Sequence, residues 1–307
     1  MYCYKIYGLC IKSDYLLEEA LEIPEISDNN VDVAIVQGEL DERLTTETEI
    51  DDAYAGGYVY RFEAKRGWLR AKGQGCCLME DGSKVTYQLK ENYDPLVMNQ
   101  LFLCAVLPNI LMQRGEIAMH GSGILWGDKA IIISGVSGAG KSTLARELLK
   151  NGGIFMADDT VALCLKEQKV YAQGGYPQQK ICLDAMEELT ITDAELILLP
   201  PDGGKDKYAV RLKRGFCMEE QEVQALFIIR IEEVEQVSIR EIQGSEKIKY
   251  LLDNLYKYKL YVELGMPAKV FKKCIEIADK IKIYTISRPK QGMTVVEQVK
   301  EIKKVLE

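Results

Sequence analysis

Nine consecutive residues carry the clearest chemistry in the chain: Gly135, Val136, Ser137, Gly138, Ala139, Gly140, Lys141, Ser142 and Thr143. An apolar run, Ile131-Ile132-Ile133, precedes them and suits a buried strand. Leu144 to Lys150 follows with helical spacing. A strand, a G-x-x-x-x-G-K-[ST] loop and a helix, in that order, are the parts of a phosphate-binding P-loop. Its glycines let backbone N–H groups turn inward onto phosphate oxygens, and the helix start adds partial positive charge. Lys141 brings a full charge for the β- and γ-phosphates, and the Ser142 hydroxyl is a natural Mg²⁺ ligand. The expectation is a nucleoside-phosphate site over residues 135–143.

A second group of chemical residues flanks this stretch. Asp158 and Asp159 end the apolar segment Ile154-Phe155-Met156 that follows the loop's helix. One carboxylate can hold Mg²⁺ while the other takes a proton from an acceptor hydroxyl. An isolated Asp-Asp pair is as readily an acidic turn or a helix cap, and its place after a strand-loop-helix-strand unit favours the chemical reading. His120, the only histidine, precedes Gly121 just upstream of the loop's strand. Such a residue is commonly a hydrogen-bonded structural one, yet an ordinary pKa near 6.5 also suits work beside phosphate or carboxylate.

Together these residues resemble the core of the HPr kinase/phosphorylase family: His120-Gly121, then Gly135-Val-Ser-Gly-Ala-Gly-Lys-Ser142, then Ala157-Asp158-Asp159, in the family's order. The resemblance implies the P-loop fold shared with ATP-dependent phosphoenolpyruvate carboxykinase. It implies that Lys141 binds phosphate, that Ser142 binds the metal, that Asp159 accepts the proton, and that Asp158 and His120 assist nearby, with Asp158 taken as the metal-side carboxylate of the pair. A looser likeness over 95–290 is to HPr-kinase-like proteins of peptide-modification gene clusters, including lasso-peptide tailoring kinases. Thr143 departs from the glutamate usual at that position, and the family's second, longer motif has no counterpart here. HPr as acceptor and the reverse reaction are therefore not carried over.

The elements that must hold these residues divide the chain in two. Residues 1–94 read as a smaller β-rich domain: short β-prone runs at Tyr4–Ile11 and Val31–Val36, then alternating segments at 58–65 and 68–72. Asp81-Gly82 predicts a two-residue hairpin turn, and the acidic stretch 38–52 a solvated, mobile loop. Residues 95–307 read as one α/β domain, opening with a buried helix over 95–114. A hairpin then feeds the loop's strand, another spans 161–172, and a core strand covers 225–231. The tail is helical at 246–257, 267–282 and from 294. Lys205, Lys207, Arg211, Lys213 and Arg214 form a basic cluster, either a phosphate clamp or a solvated edge strand. Asp184 is a further candidate metal-side acid.

Composition bounds the rest. A net charge of −8 disfavours nucleic-acid binding by bulk electrostatics. Nine cysteines without a C-x-x-C pair read as reduced thiols. The start of the chain lacks signal-peptide character, and the apolar stretch at 96–112 is broken by Asn99, Gln100, Pro108 and Asn109. A cytoplasmic protein with no membrane partner is expected, and homo-oligomerisation is left open. The readings carried forward are an ATP- and Mg²⁺-dependent kinase acting on a hydroxyl, serine's first, of a peptide or small protein. Beside it stand a small-molecule kinase of the free-serine type and a nucleotide-sensing module without catalysis.

Overall fold

The structure, a computed structural model, describes residues 1–46, 58–182, 194–199, 207–263 and 265–307. Residues 47–52 of the expected acidic loop, together with Asp184 and Lys205, lie outside the described residues. The fold is mixed α/β, and among the described residues its strands form three sheets.

Residues 2–89 build a seven-stranded sheet in the order β1-β2-β3-β7-β6-β5-β4. Its strands are β1 (Tyr2–Ile6), β2 (Leu9–Ser13), β3 (Val33–Gln37), β4 (Tyr58–Phe62), β5 (Arg66–Ala71), β6 (Gly75–Glu80) and β7 (Lys84–Leu89). The run read as one strand at Tyr4–Ile11 is a hairpin, because Tyr7 and Gly8 both take positive φ and reverse the chain. The Asp81-Gly82 turn has three residues rather than two. Glu80 pairs with Lys84, and Ser83 N–H closes the turn on Glu80 O at 3.1 Å. A one-turn helix, α1 (Glu42–Thr45), capped by the Asp41 side chain, replaces part of the predicted loop.

The sheet packs on α2 (Pro95–Arg114). Asp94 accepts from Leu96 N–H and Pro95 occupies the first turn, so the start is both capped and preset. Pro108 has no N–H to give Cys104 O, and a π-helical turn, Phe102–Val106, precedes it. The carbonyl thus left over accepts the Tyr256 hydroxyl at 2.5 Å. α2 is long and apolar enough to cross a membrane, but 67% of its most apolar window is buried. Met98, Phe102, Val106 and Ile110 share one hydrophobic cluster with Tyr4, Ile11, Ile35, Met79 and Val85 of the sheet.

The larger sheet is organised by three parallel strands, β9 (Lys129–Gly135), β16 (Gln221–Glu232) and β18 (Lys282–Pro289). Side chains alternate along them. Ile131, Ile133, Phe227 and Ile286 pack against α3 (Lys141–Lys150) and α7 (Val295–Leu306), whereas Ile132, Leu226 and Ile283 pack against α4 (Glu246–Asp253) and α6 (Ala268–Lys280). Burial on both faces is why these strands read as unbroken apolar runs. Antiparallel strands complete the sheet: β8 (Ile117–Trp126), β10 (Ile154–Ala157), β11 (Thr160–Lys166), β12 (Lys169–Ala172) and β17 (Ser238–Glu241). A third sheet, β13-β15-β14, joins Gln178–Cys182, Lys207–Leu212 and Ala194–Leu198.

The helix expected over 246–257 stops at Asp253. Asn254 turns its side chain to Ser134 Oγ and Tyr250 O, and Tyr256 N–H then joins Ala118 O of β8. A short helix, α5 (Tyr258–Glu263), follows.

Removing residues 1–93 would uncover the apolar face of α2, which in Met98, Leu101, Phe102, Val106 and Ile110 amounts to roughly 10 kcal/mol of burial at about 2 kcal/mol per side chain. A chain beginning at Asp94 is therefore expected to be insoluble or to lack a cooperative melt. A monodisperse fragment that melts cooperatively would contradict this packing account.

Candidate active site

The glycine-rich loop leaves β9 at Gly135, whose φ is 140°. A Cβ there would lie 2.7 Å from Ile229 O on the neighbouring β16, so only glycine lets the chain depart at this point. The loop ends at Gly140, the N-cap of α3, which gives the loop a helix N-terminus at its base. Lys141 Nζ folds back onto Gly135 O (2.9 Å) and Val136 O (3.2 Å). These are neutral acceptors that an anion can displace. Burial lowers the Lys141 pKa, while the Asp158 and Asp159 carboxylates push it back up. The Ser142 hydroxyl makes no hydrogen bond among the described residues.

Asp158 and Asp159 lie between β10 and β11, both of which pair with β8: Ala157 faces Gly123 and Thr160 faces His120. Asp158 is buried. Its Oδ1 accepts from Ser122 Oγ at 2.5 Å and its Oδ2 from Lys180 N–H at 2.9 Å. Burial nevertheless dominates and raises its pKa to about 6. Asp159 takes a left-handed backbone, φ 64°, a conformation aspartate tolerates better than most residues. His120 Nδ1 lies 3.1 Å from Asp159 O and 3.5 Å from Asp159 Oδ1. A carbonyl only accepts, so Nδ1 carries the proton. Burial lowers the histidine's pKa, with Asp159 opposing, which favours the neutral ring.

His120, Ser137, Lys141, Ser142, Asp158 and Asp159 thus meet around one cavity of about 230 Å³. Gly138, Gly140 and Thr143 line it too. Gly135 lies beneath the loop, Ala139 is buried, and Val136 points outward, 68% exposed. A second cavity of about 270 Å³ lies alongside, walled by α2, β4 and Tyr256-Lys257. Asp159, Lys180 and Lys207 line both.

Several residues at the site carried no signal in the sequence. Arg288, at the end of β18, donates Nε–H to Ala139 O at 3.0 Å. Its guanidinium lies about 3.9 Å from where a Cβ on Gly140 would be. Gln179 Nε2 donates to Ser142 O at 3.2 Å. Position at the carboxyl end of a parallel strand is what could have flagged Arg288. The basic cluster divides: Lys207 lines the clefts, Arg211 pairs with the buried Glu19 at 3.0 Å, and Lys213 and Arg214 are exposed. Among the described residues no three His, Cys, Asp or Glu side chains form a metal cage.

No family model and no curated protein matches the sequence. Among solved structures, the chain is similar to the Hpr(Ser) kinase/phosphatase from Coxiella burnetii, at 12% identity over 61% of this chain and 95% of that one, with a TM-score of 0.33. That superposition is too loose to bear on this chain's chemistry.

A carboxyl whose folded pKa is raised binds its proton more tightly in the native state, so Asp158 contributes stability at low pH that is lost as pH rises from about 4 to 6. At ~1.4 kcal/mol per pH unit the loss is at most about 3 kcal/mol. An asparagine at 158 can still accept from Lys180 N–H and donate to Ser122 Oγ. Urea unfolding at pH 4 and 7 should therefore show Asp158→Asn relatively more stable at pH 7. An identical pH slope in both proteins would refute the assignment.

Proposed function

We propose that the protein is an ATP- and Mg²⁺-dependent kinase that transfers the γ-phosphoryl group to a hydroxyl, serine's first, of a peptide or small protein. The observation that carries this reading is the position of Asp159. Its carboxylate, beside the neutral His120, borders both the cavity over the glycine-rich loop and the adjoining cavity. A nucleotide sensor needs the first cavity but has no use for a base at its junction with a second.

In this reading the loop from Gly135 to Thr143 is a P-loop that holds the phosphates through backbone N–H groups and Lys141. Mg²⁺ would neutralise phosphate charge, and the residues present fit it. Ser142 offers an uncommitted hydroxyl, and the Asp158 carboxylate lines the same cavity. Magnesium at phosphoryl-transfer sites is commonly held by one or two protein groups and by phosphate oxygens. Asp159 accepts the hydroxyl proton as that oxygen bonds to the γ-phosphorus. The bond from phosphorus to the bridging oxygen breaks, and the electron pair leaves on ADP near Lys141. His120 positions Asp159 by binding its carbonyl, and Arg288 braces the loop.

Two substitutions separate these roles. Lys141→Ala removes the main counter-charge, so calorimetry with Mg·ATP should show most of the affinity lost. Asp159→Asn should retain ATP affinity and lose roughly 10²–10⁴-fold in single-turnover transfer. Equal ATP binding by wild type and Lys141→Ala would overturn the nucleotide site. Undiminished transfer by Asp159→Asn would move the base elsewhere.

A further inference from the structure

The second cavity has a chemistry of its own. Lys257, which adopts a left-handed backbone, holds its ammonium 5.0 Å from the Tyr60 ring centre, 4.9 Å from Phe62 and 5.6 Å from Tyr256. It forms no ion pair or hydrogen bond among the described residues. The rings stabilise the cation, yet they leave its hydrogen-bond donors unused. Gln100, also in the wall, is only 8% exposed, and its Nε2 has no partner. A half-buried ammonium and a buried amide, both without acceptors in one cavity, point to a missing acceptor group. Lys180 and Lys207 add positive charge there, against the single carboxylate of Asp159, in a chain of net charge −8.

The outer wall of the cavity is β4, through Tyr58 and Tyr60, two residues apart on one side of the strand. β4 ends its sheet and pairs only with β5 among the described residues. An end strand can take an extended segment beside it through backbone hydrogen bonds, with side-chain pockets supplying the selectivity.

We propose that this cavity seats the acceptor as an extended peptide segment in which a carboxylate side chain flanks the phosphorylated hydroxyl. The carboxylate rests on Lys257 and Gln100, and the hydroxyl reaches Asp159. The assignment rests on the kinase reading and supplies its acceptor: the hydroxyl gives its proton to Asp159 and gains the phosphoryl group, and ADP leaves. Lys257 is a specificity-determining residue here, outside the phosphate-binding loop.

The test uses the full-length protein and three serine peptides that differ only beside the serine, where one carries Asp, one Asn and one Lys, together with free serine. Affinity is measured by calorimetry with a non-hydrolysable ATP analogue and Mg²⁺, and kcat/KM with Mg·ATP. The Asp peptide should be preferred over the Asn peptide by about tenfold or more, as expected for a charge-assisted hydrogen bond in a partly buried site. Lys257→Gln should reduce that preference to within about threefold without changing ATP affinity, and Lys257→Arg should retain it. A wild type indifferent to the acidic residue would overturn the proposal, as would a Lys257→Gln protein that keeps the preference. Free serine phosphorylated as efficiently as the Asp peptide would also overturn it, in favour of a small-molecule acceptor. Acid-selective binding that depends on Lys257, without transfer to any substrate, would support the docking site and defeat the kinase reading.

Discussion

Everything at the site depends on how β8 divides its hydrogen bonds. Along one edge it pairs with β9, the strand that launches the glycine-rich loop. Along the other it pairs first with β11 and then with β10. The two aspartates occupy the gap between those partners, opposite Gly121 and Ser122. One strand therefore fixes the spacing between loop and carboxylates, and no long side chain has to bridge it. Gly121 is the tightest point, since a Cβ there would lie 2.3 Å from Ile133 O. Ser134 clamps the same place from β9 by donating to His120 O and meeting Asn254 Oδ1. Any side chain at 121 would push β8 from β9 and shift His120 with it.

That geometry sets up an electrostatic asymmetry between adjacent carboxyls. Asp158 is buried and bonded on both oxygens, and burial raises its pKa to about 6. Asp159 faces the junction of two cavities whose shared wall also contains Lys180 and Lys207. Neighbouring carboxyls in unlike environments are the usual means of giving two acids different tasks. The cationic surroundings give the site a local attraction for anions, which a protein of net charge −8 would otherwise repel at long range.

Much of this was legible in the sequence because short-range rules govern it. The mixed α/β class, the strand at 131–133, the helix from 141 and the buried helix at 95–114 all follow from apolar periodicity and local caps. The turn at Tyr7-Gly8 is not legible because a lone glycine inside a β-prone run marks a bulge as readily as a turn, and pairing between the flanking strands decides it. The break after Asp253 was missed for a related reason. No glycine or proline marks it, and the chain leaves the helix because Asn254 and Tyr256 find partners on β8. Arg288, Lys180 and Lys257 reach the site only through sheet order, which places residues far apart in sequence side by side. Proline 108 shows the same limit: its missing donor is a local fact, but Tyr256 as the group that uses the freed carbonyl is a tertiary one.

The sheet of residues 2–89 has two roles in this arrangement. It covers the apolar side of α2, and through β4 it walls the second cavity, so that cavity and the core draw on the same strand order. The account stands or falls on where nucleotide phosphate binds. Hydrogen exchange on the intact protein, with and without saturating Mg·ATP, measures that directly. The account predicts slowed exchange for the backbone amides of residues 136–141 and, more weakly, for 158–160. Unchanged exchange at 136–141 under saturating Mg·ATP would contradict it.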